Sequence, residues 1–340
     1  MKRQAGWVLA WAALGFAPAQ AQESVPALGA SSVAAISPQS VGQWLTRLRQ
    51  ATQQQTYVGT FVGTTGNYTS SARVWHVRDG MQQIERVEAL TGVPRLTFRR
   101  NDQVVTYWPT SRTAIVEKRE SLGIFPDVLR RADPSIAQFY QLKPTGQDQV
   151  AGFSADVVQL VPRDGWRFGY RIWTEQATGL VLKLQTLDPM QLVLEQAVFS
   201  ELQLAQPISW AELSAMMDNT QGYLVKKPEL ITTTADQEGW RFKAPVPGFK
   251  PMSCHRRQKS GSIVSRGPLQ CVFSDGLASV SLFIEAYDAA SHRPHQHHEK
   301  LAMGATQMHT RRSGDWWFTV VGEVPPHTLQ RFAQSLERKK

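Results

Sequence analysis

A mainly antiparallel β protein of the α+β class is what this 340-residue sequence predicts. Three observations lead there. Apolar and polar residues alternate over one short run after another, each closed by Gly, Pro or Asn-Asp. Helical periodicity is confined to a few stretches. A composition of 42% hydrophobic and 19% charged residues belongs to a globular chain long enough for two cores.

Taken in order, Lys2 and Arg3 precede an apolar stretch at 6–17 that is too short to span a membrane, and AQA at 19–21 is a small-x-small cleavage site. The reading is a signal peptide over 1–21, cleaved after Ala21, and an exported, soluble product. Residues 22–36 are small and polar, a flexible lead-in. SPQSVGQWLTRLRQA follows as a helix, with Ser37 as N-cap, Pro38 at its first position and an apolar stripe of Val41, Trp44, Leu45 and Leu48.

From Tyr57 the period becomes two. TYVGTFVG, SSARVWHVRDG, MQQIERVEAL, PRLTFRRNDQVVTYWP and RTAIVEKR read as strands. SLGIFPDVLRRADPSIAQFYQL interrupts them with helical turns, and the meander resumes through FSADVVQLVP, WRFGYRIWTE, LVLKLQTLD and LVLEQAVFSELQL. Nine or ten antiparallel strands with a covering helix make a strongly curved sheet, an unclosed β-barrel spanning 37–206. ISWAELSAMM carries a capping box, Ser209 with Glu212, and starts a linker over 207–234. Residues 235–340 form a smaller α+β domain, closed by a helix HTLQRFAQSLERKK whose stripe is Leu329, Phe332, Ala333 and Leu336.

Charge divides along the same boundary. Residues 22–225 hold 18 basic and 18 acidic side chains; residues 226–340 hold 17 and 10, and seven of the eight histidines. The second domain is therefore the candidate for an acidic partner or an anionic membrane component, through Arg256, Arg257, Lys259, Arg311 and Arg312. Nucleic acid is disfavoured for an exported protein. The histidine-rich stretch HRPHQHHEK, 292–300, reads as a solvated loop and not a metal site, having no cysteine or framework to complete one.

Cys254 and Cys271 are the chain's two cysteines, and in an oxidising compartment the expected state is a disulfide. Catalytic signatures are absent: no GxSxG, HExxH, GxxxxGK[ST] or GxGxxG occurs. The chain reads as a non-enzyme without cofactor. Aromatic residues recur along the strands instead. A strongly bent sheet needs a plug or a guest, so Phe61, Trp75, Phe98, Tyr107, Trp108, Phe168, Tyr170 and Trp173 are candidates to line an acyl-chain cavity.

Three segments carry a family resemblance: VPRDGWRFGYRIWTEQATGLVLKLQTLD at 161–188, FSDGLASVSLFIE at 273–285 and VVGEVPPHTLQRFAQSL at 320–336. In this order they resemble the sigma-E factor regulatory proteins of the RseB/MucB type. The resemblance implies a LolA/LolB-like first domain. It also implies a periplasmic negative regulator that binds the periplasmic part of a transmembrane anti-sigma factor and shields it from site-1 proteolysis, released by lipopolysaccharide or other lipid signals. A lipoprotein or lipid carrier is the alternative, and a homodimer is one candidate assembly. The cysteine pair and the histidine stretch lie outside the family pattern.

Overall fold

The structure, a computed structural model, describes residues 38–118, 134–228, 230–258, 266–292 and 300–339. The expected signal peptide, the lead-in and Ser37 lie outside them.

Helix α1 (Pro38–Gln54) is followed by β1 (Tyr57–Thr65), β2 (Tyr68–Asp79), β3 (Gln82–Ala89), β4 (Leu96–Arg100), β5 (Gln103–Trp108) and β6 (Thr113–Lys118). After a 3-10 turn at Pro134–Gln138 come β7 (Tyr140–Val150), β8 (Phe153–Pro162), β9 (Gly169–Glu175), β10 (Val181–Leu187) and β11 (Val193–Leu204). They form one sheet in the order β6-β5-β4-β3-β2-β1-β11-β10-β9-β8-β7. Every pairing among these strands is antiparallel, and β11 returns to lie beside β1. A further strand, β12 (Leu224–Lys226), adds in parallel to β6, and β12 and β7 are the two ends of an unclosed sheet.

Both faces of this sheet are covered. Val74 and Val87 join the core under α1, where Val41, Leu45 and Leu48 are buried, whereas Val77 and Ile84 join a second cluster with Leu213 and Met217. Val74 and Val77 are three residues apart on one strand, as are Ile84 and Val87, so the two clusters lie on opposite faces. Gly59 in β1 is required by close approach: a Cβ there would stand 2.5 Å from a ring carbon of Phe199.

Leu213 and Met217 belong to α2 (Trp210–Asp218), whose first turn is capped as expected, Ser209 Oγ accepting from Glu212 N–H at 3.1 Å. The sequence led this helix out of the sheet. It folds back onto it: Tyr107 Oη donates to Met217 O at 2.6 Å, and Arg100 grips Asp218 at 2.7 Å.

The second sheet is built from β13 (Leu230–Thr233), β15 (Lys250–Gln258), β16 (Arg266–Ser274), β17 (Ser279–Ala286), β18 (Lys300–Met303), β19 (Thr306–Ser313) and β20 (Trp316–Gly322), in the order β13-β15-β16-β17-β20-β19-β18. A short helix, α3 (Ala289–His292), follows β17. Helix α4 (Pro326–Ser335) buries Leu329, Phe332 and Ala333 in this sheet's core. The sequence carried α4 to the C-terminus, but Leu336 is extended, and β21 (Leu336–Arg338) pairs with β14 (Trp240–Phe242). That pairing sets Arg338 over the Trp240 and Trp316 rings, each at 5.1 Å, and Arg241 against Glu337 at 2.8 Å. These distant partners outweigh helix propensity over the last turn.

Candidate functional site

Three places hold the groups with which this chain could act: a cavity beside α1, the basic side of the second domain, and the junction between the two sheets.

The cavity beside α1 has a volume of about 400 Å³. Trp44 and Leu48 of α1 form one wall, Val157 and Val158 of β8 another, with Arg47 and Asp156 among the polar groups. It is within the size range of small-molecule pockets. The eight aromatic residues singled out in the sequence do not line it together. Phe61, Tyr170 and Trp173 pack in the core beneath α1, while Trp75, Phe98 and Tyr107 pack on the opposite face with α2. Phe168 is buried, Trp108 is half-buried, and neither belongs to these clusters. Alternation along a strand sends neighbouring aromatics to different faces, so a list taken along the chain mixes two cores.

The basic residues also divide. Arg256 is bound by its own domain: its guanidinium pairs with Glu238 at 2.7 Å and donates to Gly267 O at 2.7 Å. Arg311 donates to Ala333 O at 2.9 Å, near the C-terminal end of α4, where carbonyls without helical partners attract a cation. Both side chains are therefore held by partners within their own domain. Arg312 is exposed and stacks on Tyr287 at 3.7 Å. The backbone of Arg257 pairs with Leu230, and Lys259 lies outside the described residues.

Cys254 and Cys271 are opposed across β15 and β16 and joined in a disulfide, with 4.1 Å between their Cα atoms. His292, first of the histidine-rich stretch, is not solvated: it is buried, its ring stacked on Trp317 at 4.9 Å, its Nδ1 accepting from Asp288 N–H. The exclusion of water by Trp317 and Tyr287 reverses the expectation for this residue. Residues 293–299 lie outside the described residues. Among the described residues no group of three or more His, Cys, Asp or Glu could hold a metal ion, and no helix is long and apolar enough to cross a membrane.

The junction is the most heavily built of the three, and no charge run or periodicity in the sequence marks it. Arg167, in the β8–β9 loop, has a fully buried side chain. Its Nε donates to Asp164 at 2.9 Å, its Nη1 to Asp275 of the second domain at 2.7 Å and its Nη2 to Pro247 O at 2.7 Å. Its guanidinium lies 4.4 Å from the Phe139 ring centroid and 5.4 Å from that of Phe249. Asp275 Oδ1 accepts from Leu277 and Ala278 N–H, which fixes the β16–β17 turn. Burial still raises the Asp275 pKa, against the lowering effect of those bonds and of Arg167. Burial likewise drives the Tyr140 and Tyr170 hydroxyls well above their usual range, so both stay protonated.

The two cores interlock here. Leu277 of the second domain packs against the first core, and Trp166 of the first domain packs against the second. Thr328 Oγ1, in the first turn of α4, donates to Trp166 O at 2.9 Å. Asp164, Trp166 and Arg167 lie in the first resemblance segment, Asp275 and Leu277 in the second, and Glu323 and Thr328 in the third. The three segments that stood out in the sequence meet at one place.

The comparisons with known proteins agree with this architecture. Residues 40–217 match the MucB/RseB N-terminal domain and residues 234–337 match the MucB/RseB C-terminal domain. The chain belongs to the MucB/RseB family. Sigma factor AlgU regulatory protein MucB of Pseudomonas aeruginosa is 29% identical over 313 residues, which cover 90% of this chain and 93% of that protein. Sigma-E factor regulatory protein RseB of Escherichia coli is 22% identical over 311 residues, 90% of this chain and 93% of RseB. Among solved structures, the complex of Pseudomonas aeruginosa MucA and MucB superimposes with a TM-score of 0.67 at 25% identity, covering 88% of this chain and 99% of the matched one.

Proposed function

We propose that this protein is an exported, periplasmic regulator that binds the periplasmic part of a transmembrane anti-sigma factor. By occupying that segment it shields the anti-sigma factor from site-1 proteolysis and keeps an envelope-stress sigma factor sequestered. The observation that carries the reading is the likeness along both domains to MucB, solved in complex with MucA(peri) at 26% identity over 88% of this chain. A family of regulatory binding proteins and a chain without catalytic signatures are consistent with function by binding alone.

Release needs a ligand that favours the unbound form, since a ligand with equal affinity for both states shifts nothing. The cavity beside α1, with Trp44, Leu48, Val157 and Val158 along its walls and Arg47 and Asp156 among its polar groups, suits an acyl chain. Co-purification from the native envelope tests the reading. An anti-sigma factor fragment in the eluate supports the regulator. A mature lipoprotein in its place supports a carrier and overturns it.

A further inference from the structure

We propose that one end of the first sheet docks on an anionic lipid bilayer, through a row of hairpin tips that carry apolar side chains with arginines between them. This goes beyond partner binding and does not depend on the partner's identity.

Strand order brings the tips together. Six neighbouring strands, β4-β3-β2-β1-β11-β10, are joined in pairs at the same end by the β3–β4, β1–β2 and β10–β11 turns. The pairings Thr65↔Tyr68, Thr65↔Glu195 and Leu187↔Val193 set the β1–β2 and β10–β11 turns side by side. Leu90 N–H donates to Ser71 O at 2.9 Å, and Ser71 N–H donates to Thr91 Oγ1 at 2.9 Å, which holds the β3–β4 turn against the start of β2. At about 4.8 Å between strands, the row is about 24 Å wide. The β5–β6 turn lies at this end too, where Leu224 N–H of β12 donates to Arg112 O at 2.7 Å.

Each of the three tips exposes large apolar side chains. Leu90 and Val93 stand on the first, Tyr68 on the second, and Met190, Leu192 and Val193 on the third, from 48% exposed at Val193 to 80% at Met190. The third tip is a formed turn, with Asp188 Oδ1 accepting from Leu192 N–H at 2.8 Å, so its apolar groups are displayed on a fixed frame. At the other end of the same strands the turns read Asp79-Gly80-Met81, Asn101-Asp102 and Gln176-Ala177-Thr178, with Met81 as their one large apolar residue. Polar residues of that kind are the ordinary composition of turns, whereas apolar side chains gathered at one end mark a contact surface.

Charge selects the occupant. Arg95 and Arg112 stand in the turns of this end, exposed and in no ion pair among the described residues. Asp188 is the single acidic residue of these four turns, and its carboxylate is engaged in capping. The basic second domain joins the same end: a Cβ on Gly304, in the β18–β19 turn, would stand 2.5 Å from Thr65 Cγ2, and Met303 beside it is exposed. Apolar tips that enter the acyl region and cations that meet headgroup phosphates are the two signals that together hold a protein on an anionic membrane. A rigid protein partner would have to fill the gaps between separate tips, whereas a fluid bilayer closes around them.

Co-sedimentation of the full chain with vesicles tests the proposal, using equal parts of phosphatidylglycerol and phosphatidylcholine against phosphatidylcholine alone. Wild type should pellet with the mixed vesicles and be released by high salt. Met190→Ser combined with Leu192→Ser should weaken partitioning about 10- to 100-fold, since two apolar side chains no longer leave water, with Tm unchanged. Met81→Ser, at the other end, should match wild type. Should the double variant lose its fold, Tyr68→Ser combined with Val93→Ser must give the same weakening. Failure of wild type to bind the mixed vesicles, or equal binding to phosphatidylcholine alone, overturns the proposal. So does full binding by the double variant, which would place the lipid in the cavity beside α1, where none of these residues lies. A lipid-free wild-type oligomer that the double variant turns into a monomer also overturns it, by making the tips a contact between copies.

Discussion

Replacing Arg167 by Ala removes the buried guanidinium of the junction, and its cost can be worked from the contacts. The side chain is fully buried and makes two carboxylate pairs and one carbonyl bond. Asp164 is partly exposed and can turn to water, so its loss is small. Asp275 cannot: Oδ1 keeps two backbone N–H bonds, but Oδ2 is left with Tyr140 at 3.4 Å. Stranding one member of a buried pair costs about 3–5 kcal/mol, and the two surviving N–H bonds place this case near 3 kcal/mol. Urea denaturation followed by tryptophan fluorescence measures it, with Trp166 at the junction as one reporter. Arg167→Ala combined with Asp275→Ala should cost less than the sum of the two single changes, because the pair is lost only once. Strict additivity, or a loss below about 1 kcal/mol for Arg167→Ala, would refute the account of the junction.

Other outcomes follow from the same structure. Removal of the Cys254–Cys271 disulfide, which spans a sequence separation of 17, should cost about 3 kcal/mol by loop entropy, seen as a drop in Tm on replacing both by Ala. Glu85→Ala strands Arg99, which is paired with it at 3.1 Å with both side chains buried, and should cost about 3–5 kcal/mol in chemical denaturation. Gly59→Val drives a branched side chain into Phe199 and should cost about 1–3 kcal/mol or more. Arg256→Ala should destabilise the second domain by about 2 kcal/mol, between exposed and buried pairs, while partner affinity keeps its salt dependence.

What was legible in the sequence was whatever depends on near neighbours. The α1 stripe of Val41, Leu45 and Leu48, the capping box at Ser209 and the two-residue period of the hairpins are local patterns, and the structure follows them. The cysteine pair was readable from compartment and spacing. What depends on distant contacts was not legible. Arg256 and Arg311 read as surface cations because a sequence shows charge and not burial; Glu238 and Ala333 claim them only in the folded chain. The end of α4 was misjudged because β14 lies far upstream. Arg167 and Asp275 are 108 residues apart, and no periodicity joins them. Alternation along each strand also hid the division of the aromatic residues between two faces.

Protection of the partner tests the central claim most directly. The periplasmic fragment of the anti-sigma factor from the same organism is incubated with the site-1 protease at rising concentrations of this protein. Cleavage should slow in step with complex formation and stop at saturation, with shielding restored after any added acyl ligand is removed. Cleavage that runs at the same rate with the protein in large excess would contradict the account.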